Sequence, residues 1–108
     1  MKMGYRSDVA VRFTPEAAKV VKIFAEMDNN IQELIEFADT ADYDAGSFRW
    51  QHVKWYEDYP DITAFMDMLY QLHDEDYGMI RLGESEDDIE RYGCPCDFEI
   101  WVTRSIEW

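Results

Sequence analysis

Basic side chains are scarce in this 108-residue chain. Ten Lys and Arg stand against 24 Asp and Glu, a formal net charge of −14. That scarcity argues against direct nucleic-acid binding, because phosphate contacts need Lys and Arg. It also disfavours docking on an anionic membrane surface. There are two cysteines, Cys94 and Cys96, one residue apart, which make no disulfide framework. Five glycines and three prolines leave no phosphate-cradling Gly-rich loop, no low-complexity linker and no internal repeat. No apolar run approaches the roughly 20 residues that span a bilayer. The basic residues near the N-terminus are followed by no apolar stretch of the kind a secretory signal carries. These absences together lead to the expectation of a cytoplasmic protein with no membrane contact.

What the chain does have is apolar and aromatic residues. Hydrophobic residues are 47% of it and aromatics 16%, far above a disordered acidic tail. The length fits one domain, 1–108. Val9, Val11 and Phe13 alternate with Ala10 and Arg12 and predict a strand with one buried face. Thr14-Pro15-Glu16 is a helix start, with Thr as N-cap, Pro in the first turn and an acid near the positive end of the dipole. Ala17, Val20, Val21, Phe24, Met27, Ile31, Leu34, Ile35 and Ala38 follow at helical steps. Asp28-Asn29-Asn30 is poor helix material, so the stripe is one kinked helix or two. Ser47 to Glu57 predicts a strand whose imperfect alternation suggests a bulge or two covered faces. Tyr59-Pro60-Asp61 opens another helix, running toward Asp74-Glu75-Asp76. Tyr77 to Leu82 predicts a short strand. Gly83 to Gly93 reads as a loop around a helical turn at 86–91, and Asp97 to Trp108 as the last strand. The expected fold is α+β, β-α-β-α-β-β: about four mostly antiparallel strands with two or three helices on one face. A ferredoxin-like strand order is one solution this element order allows.

The charge is unevenly placed. Residues 1–25 carry Lys2, Arg6, Arg12, Lys19 and Lys22 against Asp8 and Glu16, a net +3. The remainder holds five basic and 22 acidic side chains, a net −17. Such asymmetry is a signal for an interaction surface. One acidic cluster is Asp74, Glu75 and Asp76. A second is Glu84, Glu86, Asp87, Asp88 and Glu90. They flank one short strand, so they are expected at its two ends. Acids spaced at helical steps can approach the spacing of phosphates along DNA. Glu33, Glu36, Asp39 and Asp42 would extend such a row. The plainer reading is that a charge run solubilises a small protein.

Other chemistry finds less support. Cys94 and Cys96 with His52 and His73 are four zinc-ligand types, but C-x-C is not the usual structural spacing and nothing brings the histidines to it. Ser47, Ser85 and Ser105 lack a nucleophile-elbow context. With 24 acids, carboxylate pairs arise by number alone. A chain this short has little room for a small-molecule cavity of about 300 Å3 or more. No catalytic residue, metal or cofactor is therefore assigned, and the chain is read as a non-enzyme. Trp50, Trp55, Tyr56, Tyr59 and Trp101 are mostly core candidates. Trp108, at the end of the sequence, is the aromatic best suited to anchor a protein interface.

Met3-Gly4-Tyr5-Arg6-Ser7-Asp8-Val9, Val53-Lys54-Trp55-Tyr56 and Ile80-Arg81-Leu82-Gly83-Glu84…Asp87-Asp88-Ile89-Glu90 resemble segments of small tailed-bacteriophage proteins of no assigned chemistry. The resemblance implies a phage origin, a host-cell cytoplasmic location and an anti-defence context. It transfers no functional residue. The combined expectation is an acidic inhibitor, with DNA mimicry as one form it can take, that binds a host nucleic-acid-handling or defence protein with a basic surface. Its contacts would be Asp74, Glu75, Asp76, Glu84, Glu86, Asp87, Asp88, Glu90 and Trp108. The alternative is a self-associating subunit, a homodimer for example, whose charge serves only solubility.

Overall fold

A computed structural model of the chain describes residues 5–85, 87–102 and 106–107. Met1 to Gly4, Glu86 and Trp108 lie outside the described residues, and with them two of the expected contacts. The first strand, β1 (Ser7–Phe13), is the one the alternation predicts. Its Val9, Val11 and Phe13 point to one side and Ala10 to the other, and all four are buried. A strand buried on both sides must be central and covered twice. The sheet order confirms the first point: β2 (Thr40–Asp42), β3 (Ser47–Val53), β1, β4 (Tyr77–Leu82), β5 (Ile89–Gly93), every neighbour antiparallel. The first four strands meet the order and directions a ferredoxin-like arrangement requires. β5 is added beyond β4.

Three helices cover one face. Helix α1 (Pro15–Met27) starts where Thr14 accepts the Ala17 N–H through Oγ1, with Pro15 at the first position. The stripe from Ala17 to Ala38 is two helices. Asp28 ends α1 in extended backbone and starts α2 (Asn29–Glu36), its carboxylate accepting from Asn30 N–H at 2.9 Å. Helix α3 (Pro60–Tyr70) ends four residues before the acidic triplet, which forms a separate 3-10 turn at Asp74–Asp76. The triplet therefore does not oppose the α3 dipole. The core on this side joins Val9, Val11, Phe13, Phe48, Trp50, Tyr77 and Met79 of the sheet to Val21, Ile31, Leu34, Ile62, Phe65 and Leu69 of the helices. Trp50 is its largest fully buried side chain. It meets Trp55 and Phe65 at ring distances of 5.3 and 5.4 Å, and its indole N–H donates to Leu34 O at 2.8 Å.

The bulge expected within 47–57 sits at Gln51-His52. Ser7 pairs with Val53 and Val9 with Trp50, so two residues of β3 oppose Asp8 alone. His52 takes a left-handed φ of 53° there. A bulge leaves backbone donors outside the ladder. Asp39 Oδ2 accepts the Gln51 N–H at 2.6 Å and Asp8 Oδ1 the His52 N–H at 3.0 Å.

Two expectations are overturned. Ile89 to Gly93 is an edge strand, not part of a loop with a helical turn; Tyr92 packs on the helical core and Ile89 on the opposite side. The stretch from 97 is not one strand. Pro95–Phe98 forms a 3-10 turn, and Glu99 adopts a left-handed φ of 58°. Among its described residues Trp101–Val102 (β6) and Ile106–Glu107 (β7) pair, as a separate two-stranded sheet. This segment covers the second face of the main sheet: Ile100 and Ile106 pack with Ala10 and Ile80. Two guanidinium groups of the sheet hold its carbonyls, Arg12 to Phe98 O at 2.9 Å and Arg49 to Ile106 O at 3.1 Å. Gly78 allows the approach; a Cβ there would lie 2.6 Å from the Pro95 backbone. No described helix is long and apolar enough to cross a membrane.

Replacing Trp50 by Phe removes the buried indole donor and orphans the Leu34 carbonyl. Chemical denaturation should show a loss of about 1–3 kcal/mol. An unchanged midpoint would mean that the indole hydrogen bond contributes nothing.

Candidate acidic binding surface

The two acidic clusters do flank β4, and the fold adds acids that the sequence separates. At the Tyr77 end, the turn Asp74–Asp76 comes beside the turn Pro95–Phe98, tied by Cys94 N–H donating to Tyr77 O at 2.9 Å. The Cys94 thiol is held above its ordinary value, first by burial and then by the charges of Asp97, Asp74 and Glu75. Three carboxylates from two distant segments thus converge on one spot. Asp74, Glu75 and Asp97 are exposed, and Asp76 is half-buried.

On the helical side of β5 the acids meet tyrosines. Tyr70, at the end of α3, and Tyr92, in β5, stand with ring centroids 6.5 Å apart. Tyr70 is raised by burial and then by Glu57, Glu90 and Asp67. Tyr92 is raised well above its ordinary value near 10 by burial, then by the charge of Glu90 and a hydrogen bond to it. Glu57 and Asp67 are exposed.

At the Leu82 end, the carboxylates have internal partners. Arg81 is buried, and its guanidinium forms ion pairs with Asp88 and Glu90 and donates to Ser7 Oγ at 2.8 Å. Tyr5 donates its hydroxyl to Asp88 and accepts the Glu84 N–H at 2.8 Å, while Arg6 N–H donates to Glu84 Oε2 at 2.7 Å. Asp88, Glu90 and Glu84 therefore bind the N-terminal segment and the start of β5 into the fold. Of this cluster, Asp87 is exposed and Glu86 lies outside the described residues. The signal for this network is in the sequence: a single Arg between Ile80 and Leu82, in a strand followed by acids.

Exposed acids form a rim around β5: Asp74, Glu75 and Asp97 at one end, Glu57 and Asp67 beside it, Asp87 at the other end. A row through Glu33, Glu36, Asp39 and Asp42 serves partly local ends. Asp39 caps the bulge, and Asp42 accepts from Asp44 and Ala45 N–H at 3.0 and 3.1 Å in the turn before β3.

Two open clefts lie among the described residues. One of about 220 Å3 lies between α1 and α2, at Lys22, Glu26, Gln32, Glu36 and Tyr43. The other, about 250 Å3, lies at the bulge, with Arg6, Asp39, His52, Lys54 and Asp61 on its walls. Both are below the usual range for small-molecule sites. His52, at the bulge, and Cys94, beside Tyr77, occupy opposite ends of the sheet. Among the described residues no three His, Cys, Asp or Glu side chains are grouped to hold a metal ion. Cys94 and Cys96 are free thiols.

No protein-family model, curated protein or solved structure matches this chain.

The tyrosines give the surface a pH signature. A phenol whose folded-state pKa exceeds its unfolded value stabilises the fold fully below pH 10, and the contribution is lost as pH rises through the folded value. Stability should therefore fall as pH rises above 10, and Tyr92→Phe should shallow that decline. An ultraviolet titration in which Tyr92 ionises at its ordinary pH would refute the placement beside Glu90.

Proposed function

We propose that this chain is an acidic protein-binding inhibitor that occupies a basic surface on a partner. A nucleic-acid-handling or defence protein of a phage-infected host is the partner class this reading favours. The observation that carries it is the convergence of exposed carboxylates from the 57–67, 74–75 and 97 segments around β5. Of the exposed basic side chains, Lys19 and Lys22 lie on α1, Arg6 just before β1, and Arg91 within β5. A concentration of negative charge steers association with a positive partner and rejects other acidic surfaces. Blockade would be steric and electrostatic, with no bond made or broken.

Three exposed acids provide the test, because none of them bonds Arg81. Asp74→Lys, Glu75→Lys and Asp87→Lys together should weaken capture of a basic nucleic-acid-binding host protein by tenfold or more, about 1.4 kcal/mol. Capture by the unaltered chain should decline as salt rises. Salt-independent capture, unchanged in the triple variant, would refute the acidic reading.

A second reading is favoured by one feature of α1. Ile23 and Met27 are 55% and 82% exposed on one side of the helix, and Phe37, after α2, is 79% exposed. Self-association through these side chains would make the charge a solubilising device. Sedimentation should then show a mass that rises with concentration, is insensitive to salt, and returns to the monomer in Met27→Glu. A monomeric mass at every concentration would rule this reading out.

A further inference from the structure

The main sheet ends in two unlike edges. β2, at one edge, is three residues long. β5, at the other, is five residues, and among the described residues no strand lies beyond it. The direction of its backbone groups follows from the ladder. Cys94 N–H bonds Tyr77 O and Gly83 N–H bonds Asp88 O. In the register Arg81↔Glu90 and Met79↔Tyr92, residues 90 and 92 therefore turn their N–H and C=O toward β4. Ile89, Arg91 and Gly93 turn theirs outward. Ile89 N–H is taken by Asp87 O. The Ile89 carbonyl, the Arg91 N–H and carbonyl, and the Gly93 N–H are left as a template for a further strand.

We infer that the β5 edge receives an extended segment of the partner as a sixth strand, with Lys or Arg at alternate positions and apolar residues between. The inference rests on the acidic reading above and specifies how that surface engages its partner. The alternation comes from the two sides of β5. On the helical side, an incoming side chain lies beside Glu90 and Tyr92, with Tyr70, Glu57 and Asp67 next to them. A cation there meets carboxylates and aromatic faces together. On the other side its neighbours are Ile89 and Arg91, where an apolar side chain extends the cluster of Ile80, Leu82 and Ile89. Both ends of the edge are acidic, so a basic strand is attracted at each.

The same charges exclude a second copy. Antiparallel pairing of β5 with β5 of another molecule would set Asp87 of one copy near Asp97 of the other. It would also place Arg91 against its own counterpart. In that register like charges oppose self-pairing, whereas a segment of opposite sign is attracted.

The probe is a synthetic peptide of alternating Lys and Val, roughly eight residues long to span one strand, with a Glu/Val peptide as control. Amide exchange is read on the full chain. The basic peptide should slow exchange at Arg91 and Gly93 by about tenfold or more and leave β2 unaffected. Arg91→Pro removes an outward donor without breaking a bond to β4, as edge strands tolerate. It should weaken binding about tenfold, while Arg91→Ala, which keeps the N–H, should not. Peptide bound with no protection at Arg91 would overturn strand addition yet leave the acidic reading standing. No binding of the basic peptide, or equal binding of the acidic one, would overturn this proposal. The acidic reading would then be judged by the lysine-reversal capture alone. Should Arg91→Pro lose the native circular dichroism, the exchange result on the unaltered chain decides.

Discussion

The structure depends on one constraint: β1 is buried on both of its faces. Val9, Ala10 and Val11 are consecutive, point to alternate sides, and are all fully buried. A lone layer of helices could satisfy only half of that strand. The second layer is supplied by the irregular segment after β5, which brings Ile100 and Ile106 over Ala10 and Ile80. Such a layer has few ladder bonds of its own, so its carbonyls need donors. Arg12 and Arg49, the two cations that β1 and β3 direct to that side, provide them. Two of the chain's ten Lys and Arg are thus placed by backbone need, whereas Arg81, at the opposite face and end, is placed by carboxylates.

The same logic divides the acids. Several carboxylates that look like surface charge are backbone acceptors: Asp28 between two helices, Asp39 and Asp8 at the bulge, Asp42 in a turn. Asp88 and Glu90 balance a buried guanidinium. With these set aside, the described acids around β5 remain as exposed charge, as do Glu16, Glu26, Glu33 and Glu36 on the helices. Those around β5 come from the turn before α3, α3 itself, two 3-10 turns and the loop before β5.

Elements with strong local grammar were legible from the residues. Thr14-Pro15-Glu16 dictates a helix start whatever surrounds it, and Val9-Val11-Phe13 can bury only one way. Asp28 served as both cap and stop because its side chain competes for backbone donors. β5 was not legible, because Ile-Glu-Arg-Tyr-Gly carries the charges of an edge strand and so resembles a loop. The terminal stretch misled in the opposite direction. Its β-branched and aromatic residues suggested one strand, but Pro95 and the left-handed Glu99 break the backbone. The apolar side chains Ile100 and Ile106 of this stretch cover a sheet and do not lie within it. For the site, the positions of the clusters at either end of β4 followed from chain order. Their unequal status did not, because it turns on Arg81, whose partners are chosen by pairing across β4 and β5.

The covering segment has a further consequence for how the molecule comes apart. Its ties to the sheet join residues 86 and 57 positions apart in the chain, and they have meaning only once β1 and β3 are already paired. A layer that docks on a finished surface is added late in folding and is the natural first unit to detach. Its departure would wet Ala10 and Ile80 while the helical core around Trp50 stayed dry. The two faces of one central strand would then melt as separate cooperative units, the thinner one first.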